Sequence, residues 1–516
     1  MSITPTPPAW TVSDHADPLP RGACTAEAQY AWGNELRKRG DHTSAEDALR
    51  AALALDPALF DARLSLAFLY RDLGRLAEAA SIFDPWLESK PVDAILLGRV
   101  AQFLDAIGDS GRALACYERA IRLDDTLAPA WFERGRLLLQ SGRFDEAAQS
   151  LSRTLAIDPG RGAAYLLLVQ TRRLTSGDSL IPFIENRAAQ AGFSPTTQAC
   201  LHFARGKIHD DLGHWDQALA EIEAANAIRQ KEIRFDRAHC ETRMKQLLAR
   251  PPGFWDPPEP LPGQILPEPF FIVGLPRAGT TLLERLLATH PAVATAGESD
   301  TLTLLLEALG IVDAGKAHGI LDRDDTPGLK AEDRIETLSC YRTELMRGAP
   351  AGTHYVIDKN PLNFWHIGPI QRLFPHAPVL VVERDPRDVL VSLYFQNFDR
   401  AELAFSYAIP DILFYLNVYR TLMNHWQRFA GARLRTVRYE TLVHEPTAVV
   451  DEILGWLGLD PSGSQDTVER DQAVIRTASA WQARQPVYLR SVGRWKPYAR
   501  SLLERHPELV QLGMSA

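Results

Sequence analysis

Lys359 is one of nine lysines in a chain that carries 56 Lys and Arg residues. It stands in "VIDKNPLNFWHI", at the end of an apolar run and just before Asn360-Pro361. A single ammonium at the end of an otherwise apolar element does more than solubilise it. Glu298 lies in "HPAVATAGESD", directly after a glycine. Its plain reading is an acid capping a helix start. Arg384 sits at the C-terminal end of the apolar run in "VLVVERDPRDVLVSLYFQ", 379–396, with Ser392 eight residues further on. A planar guanidinium and a hydroxyl from two elements can hold one phosphate between them. The competing reading is an Arg–Asp pair at a helix start, with Ser392 on the surface.

A fourth group is "FFIVGLPRAGTTLLERLLATHP", 270–291. Phe270–Val273 reads as a buried strand. Gly274 and Gly279 bracket a turn, and Thr280-Thr281 opens an amphipathic helix. Strand, Gly-x4-Gly and helix match the pattern of nucleotide triphosphatases, but Thr280 stands where their phosphate-binding Lys would be. Within Pro276-Arg277-Ala278-Gly279-Thr280-Thr281, the backbone N–H groups that follow the proline can still surround a phosphate at a helix N-terminus, with Arg277 and the Thr hydroxyls adding charge and donors.

These residues need a scaffold. Short β-branched runs at 270–274, 354–358, 378–383 and 434–438 alternate with amphipathic helices, which is the rhythm of a parallel α/β sheet. Such sheets bind nucleotides where the phosphate loop follows the first strand. The first half of the chain repeats instead. Gly40, Gly74, Gly108 and Gly142 are 34 residues apart, and Gly177 and Gly213 continue the series with small insertions. Ala45, Ala79, Ala113, Ala147 and Ala218 follow at +5, Ala52, Ala120 and Ala225 at +12, and Pro57, Pro91 and Pro159 at +17. The pattern is that of helical hairpins with Gly at the turn, small Ala at the helix contact and Pro after the second helix. Such hairpins stack into a solenoid with a concave groove. The unit around 160–190 is degraded. "RPPGFWDPPEPLPGQILPEP", 250–269, reads as a stiff linker.

The expected architecture is an α-solenoid followed by an α/β, phosphate-loop domain with a parallel sheet. Its expected parts are an extension at 1–27, repeats at 28–247, a linker at 248–268 and the α/β domain at 269–516, with the two larger parts having separate cores.

Composition narrows the class. A net charge of −9 argues against a global nucleic-acid or anionic-membrane surface. Five scattered cysteines lack metal-ligand spacing and fit reduced thiols in a cytosol. The N-terminal stretch has no basic region followed by an apolar core, and no run reaches the ~18 apolar residues of a membrane span. A cytoplasmic location is expected.

The motifs GLPRAGTTLL, HPxVxxxGE, DKNP, RDPRDVxVS, VRYExL (437–442) and VGRWKPY (492–498), in this order, resemble the sulfotransferases that use 3′-phosphoadenosine-5′-phosphosulfate (PAPS). The likeness covers about 270–500 and is closest to the tyrosylprotein-sulfotransferase-like branch, whose bacterial members include some with tetratricopeptide repeats. The 34-residue hairpins resemble that repeat. The resemblance implies that Arg277, Ala278, Gly279, Thr280 and Thr281 hold the 5′-phosphosulfate, which has no β- or γ-phosphate for a triphosphatase Lys to reach. It implies that Arg384 and Ser392 hold the 3′-phosphate and that Tyr439 lies near the adenosine. Ser491, Gly493, Arg494, Trp495 and Lys496 match the loop that closes over the nucleotide. Catalysis would fall to Glu298 as base, Lys359 at the bridging oxygen and Arg277, with no metal. Two positions depart from the family pattern around the 3′-phosphate. Gln396 replaces a basic residue, and Tyr488-Leu489-Arg490 replaces Arg-Lys-Gly.

The implied reaction is in-line transfer of a sulfuryl group to a hydroxyl. The repeats tilt the acceptor toward a Tyr of a protein or peptide, engaged by the repeat groove, while a carbohydrate or small alcohol or phenol stays open. The repeats could equally serve a partner or pair two subunits. His354 and His366 flank the Lys359 segment and are the alternative bases. A non-catalytic repeat scaffold and a phosphate-loop kinase are the rival classes.

Overall fold

The computed structural model describes residues 25–514 except 74, 90–92, 252, 256–266, 300, 310–311, 314–318, 321–337, 340, 347–348, 399, 430–432 and 464–488. Nearly all of the 1–27 extension, Gly74, Pro91, most of the Pro-rich linker and Tyr488 thus lie outside the described residues. The chain packs as two compact units, 1–137 and 138–516.

The first unit is made of helical hairpins, such as Ala26–Lys38 with His42–Leu55 and Ala94–Ala106 with Ser110–Leu123. Gly40 and Gly108 turn with φ of 82° and 94°, the left-handed region that a side chain resists. The aspartate after each, Asp41 or Asp109, caps the next helix through a backbone N–H three residues on. Ala45, Ala52, Ala79, Ala113 and Ala120 are fully buried, as close helix contact requires. Tyr70, on Phe60–Asp72, donates to Glu46 of the preceding helix at 3.0 Å.

In the second unit the helices Phe144–Ile157, Gly162–Val169, Leu180–Ala188, Pro195–Leu212, Trp215–Glu232 and Arg237–Leu248 precede a five-stranded sheet. Its strands are β1 (Glu268–Gly274), β2 (Val293–Gly297), β5 (Tyr355–Lys359), β6 (Val379–Glu383) and β7 (Leu434–Arg438). A two-stranded pair, β3 (Val312–Asp313) and β4 (Gly319–Ile320), lies between β2 and β5 in sequence. The order is β2-β5-β1-β6-β7 and every neighbour is parallel. Central strands read as continuous apolar runs because both faces are covered. The edge strands β2 and β7 are buried only at scattered positions. That explains why "VATAG" carries no strand signal in the sequence. Among the described residues, no helix is long and apolar enough to cross a membrane.

The packing boundary does not follow the Pro-rich linker. Phe203, Leu219, Ile222, Ala225, Cys240 and Leu247 of the last repeat helices share one apolar cluster with Phe270, Phe405, Tyr407 and Trp426. The amide of the fully buried Asn226 donates to the Tyr394 carbonyl at 3.0 Å, and Gln230 donates to that of Tyr407 at 2.6 Å. Arg243 stacks over Trp365 at 4.3 Å. Composition marks where the repeat pattern stops, whereas burial follows the apolar face that the last hairpin turns to the sheet domain. The two larger parts expected from the sequence therefore do not have separate cores: the repeats from 195 onward belong to the core of the α/β domain.

Candidate active site

Parallel strands deliver their following loops to one edge of a sheet, and here each of the five ends in a residue singled out above. Across the edge the order is Glu298 after β2, Lys359 at the end of β5, the 274–281 loop after β1, Arg384 after β6 and Tyr439 after β7. With strands about 4.8 Å apart, β2 and β6 stand about 14 Å from each other. The acid–lysine pair is therefore on one side of the phosphate loop and the arginine on the other.

The loop is shaped by two residues in left-handed conformation, Arg277 (φ 72°) and Gly279 (φ 106°), before the helix Thr280–Leu287. Tyr439 packs directly on Gly279, and a Cβ there would fall 2.3 Å from the tyrosine ring. The same ring lies 4.5 Å below the Arg384 guanidinium. Arg384 donates to the Arg277 carbonyl at 3.0 Å and to the Ser491 carbonyl. Its side chain is only 6% exposed, and its Nε has no hydrogen-bond partner. Burial pushes its pKa below the usual guanidinium value, with Tyr439 and Asp388 opposing. Ser392 is buried as well, and its hydroxyl accepts from Arg277 Nε at 3.0 Å. Arg277 thereby reaches across to the Arg384 side of the loop.

Gly279→Ala is expected to remove nucleotide binding and to lower Tm by several degrees. The methyl meets a ring that cannot withdraw without uncovering Arg384, and the φ alone costs on the order of 1–2 kcal/mol. A scanning melt with a parallel binding titration checks this; an unchanged melt would mean that Tyr439 moves freely.

Asp388, to which the sequence reading gave no role, organises a neighbouring segment. Its two oxygens accept from the backbone N–H of Gly493 at 2.8 Å and of Trp495 at 3.0 Å. The first turn of the helix Pro386–Tyr394 so ties down the 491–496 segment. Trp495 is buried beneath Arg387, 4.2 Å away. Arg494 turns toward Asp210 of the 195–212 helix at 3.4 Å, and Tyr498 donates to the same carboxylate. Lys496 is exposed and folds back over Gly493. Beside Arg384 opens a cavity of about 680 Å³, lined by Leu275, Ala278, Phe414, Asn417 and Arg420 among others; Glu298 and Lys359 lie outside it.

On the other side of the loop, Lys359 is fully buried and donates to Glu298 at 2.6 Å. The register slips between Thr295 and Gly297 where β2 pairs with β5, and this bulge turns Glu298 to the lysine. A second carboxylate, Glu284, lies 3.6 Å from the same ammonium. It was missed in the sequence although its spacing marks it: 280, 283, 284 and 287 form the buried face of the helix. Neither histidine joins this group. His366 is buried between Arg243 at 2.9 Å and Asn363 at 3.4 Å. His354 is exposed and precedes β5, at the end of the strand remote from Lys359.

Comparison with known proteins fits this layout. Residues 269–462 match the sulfotransferase family, and residues 36–102 and 108–172 match the tetratricopeptide repeat. The chain thus places a region similar to the sulfotransferase family after a region similar to the tetratricopeptide repeat. An uncharacterised protein of Aquifex aeolicus is 28% identical over 71% of this chain and 48% of its own length. Nodulation protein NoeE of Sinorhizobium fredii is 30% identical over 38% of this chain and 52% of its own. Protein-tyrosine sulfotransferase 2 of Gallus gallus is 25% identical over 44% and 62%. The chain spans about half the length of the first two.

Proposed function

We propose that this protein transfers a sulfuryl group from PAPS to a hydroxyl, and that the acceptor is a tyrosine of a protein or peptide. The observation that carries the choice of donor is the buried Arg384, with its Nε unspent, beside a phosphate loop that lacks the triphosphatase lysine. A 3′-phosphate would take that N–H and compensate a charge that burial makes costly. Arg277, Gly279, Thr280 and Thr281 would receive the 5′-phosphosulfate, and Ser392 would share the 3′-phosphate. The stretch from Ser491 to Lys496, held by Asp388, would cover the nucleotide. The likeness to a protein-tyrosine sulfotransferase and the repeat array support a polypeptide acceptor.

The chemistry follows from the other side of the loop. A phenol titrates near 10 and needs a base at neutral pH. Glu298 takes the acceptor proton as the new O–S bond forms. Lys359 leaves Glu298 and meets the charge on the bridging oxygen as the old S–O bond breaks. Adenosine 3′,5′-bisphosphate departs.

Calorimetry should show that the protein binds adenosine 3′,5′-bisphosphate far more tightly than AMP, by about 100-fold for one charge-assisted pair worth a few kcal/mol. Equal affinities would remove the 3′-phosphate assignment.

A further inference from the structure

We infer that Glu284 is a positioning residue for the Lys359–Glu298 pair, holding the ammonium from behind and keeping Glu298 a competent base. The inference rests on the proposal that this pair acts in sulfuryl transfer. A connected set of contacts supports it. Gly297 N–H donates to the Thr295 hydroxyl at 3.0 Å, and that hydroxyl donates to Glu284 Oε1. Glu284 Oε2 lies 3.6 Å from Lys359 Nζ, whose other partner is Glu298 Oε1 at 2.6 Å. One carboxylate thus touches both the bulge that aims the base and the lysine that pairs with it. Glu284 is 7% exposed on the core face of its helix, where a charge is retained only if it is paired.

Electrostatics give this arrangement a consequence. An ammonium in contact with a carboxylate makes it a weaker base, and a second carboxylate on the same ammonium returns part of that basicity. Two acids and one lysine carry a formal charge of about −1, so uptake of the acceptor proton by Glu298 neutralises the group. The groups acting on the Glu284 carboxyl are Lys359 from β5 and Glu298 beyond β2, with the Thr295 hydroxyl from β2. Burial pushes that carboxyl above the usual carboxylate range, against the pull of Lys359. When Lys359 swings to the leaving oxygen, Glu284 keeps its charge compensated from the protein side.

The test is Glu284→Gln in the full chain, read two ways. With PAPS and p-nitrophenol, kcat/KM at neutral pH should fall about 10-fold and its acidic limb should move to lower pH by about one unit. Adenosine 3′,5′-bisphosphate affinity should stay within a few-fold. In ¹³C-glutamate-labelled protein, the Glu298 carboxyl signal, assigned with Glu298→Gln, should titrate at lower pH in the variant whether or not the substrates turn over. Thr295→Val, which leaves both carboxylates in place, should shift the signal the same way by less, and serves if Glu284→Gln does not fold. An unmoved Glu298 titration would overturn the inference, as would a uniform loss of activity at all pH values. A wild type inactive with PAPS would instead refute the transfer reading, and the titration would still decide the coupling.

Discussion

Glu298→Gln should lower turnover with PAPS and a phenolic acceptor about 10²–10⁴-fold, the usual contribution of a positioned base. Adenosine 3′,5′-bisphosphate affinity should hardly change, because Glu298 and Arg384 are separated by the whole phosphate loop. Lys359→Ala should show the same split: in the proposed reaction the ammonium meets the transferring group, not the phosphates, and oriented charge at a leaving oxygen contributes about 10²–10³-fold. Because the alanine leaves Glu284 buried without a cation, a fall in Tm should accompany Lys359→Ala and be absent from Glu298→Gln. Stopped assays with a binding titration beside them check this. Near-wild-type turnover in Glu298→Gln, with loss in His354→Ala, would move the base elsewhere. His366→Ala is a poorer control, since His366 supports the buried Arg243.

The second large effect concerns where the chain can be cut. Removal of residues 1–125 should leave a folded protein that binds adenosine 3′,5′-bisphosphate, since residues 138–516 form a compact unit and the cut falls between helices. Removal of 1–247 should give insoluble protein. It strips the helices that cover Phe405 and Tyr407 and leaves the Tyr394 and Tyr407 carbonyls without their side-chain donors. Each hydrogen bond so lost to water costs about 0.5–1.5 kcal/mol, and the uncovered apolar face, at about 25 cal/mol per Å², costs more. Asp210 would go as well, and with it the anchor of Arg494 and Tyr498 at the end of the 491–496 segment. Soluble expression and a nucleotide-induced Tm shift distinguish the two truncations. A well-folded protein beginning near 248 would show that the linker, not the contact boundary, divides the molecule. Transfer to a small phenol should survive removal of 1–125 better than transfer to the natural acceptor, if the first repeats engage that acceptor.

Much of this was legible in the chain because it is local. Four of the five strands of the sheet lie within a residue or two of the apolar runs that announce them. The turn glycines and buried alanines of the repeats stand where a 34-residue period puts them. Lys359 and Arg384 stood out for the same reason: each charge follows an otherwise apolar run, and the sheet brings both to one edge. What the sequence concealed depends on long-range packing. β2 is too short and too exposed to carry a periodic signal, so Glu298 read as well as a helix cap as a base. Glu284 looked like one more charge of an amphipathic helix until its angular position was compared with that of Thr280 and Leu287. Asp388 finds its partners more than a hundred residues away, at Gly493 and Trp495. The union of the last hairpin with the sheet domain is a matter of which faces meet, and a Pro-rich stretch between two elements says nothing of that.

The most direct measurement is transfer of label from PAPS carrying radioactive sulfur. Incubated with the protein and a tyrosine-containing peptide mixture or the host lysate, the label should appear in an alkali-stable, acid-labile product on a tyrosyl oxygen. Adenosine 3′,5′-bisphosphate should form in equal amount, and both should disappear with Glu298→Gln. Protein that binds adenosine 3′,5′-bisphosphate tightly and yet moves no label to any hydroxyl would contradict sulfuryl transfer, and label on sugars alone would contradict the tyrosyl acceptor.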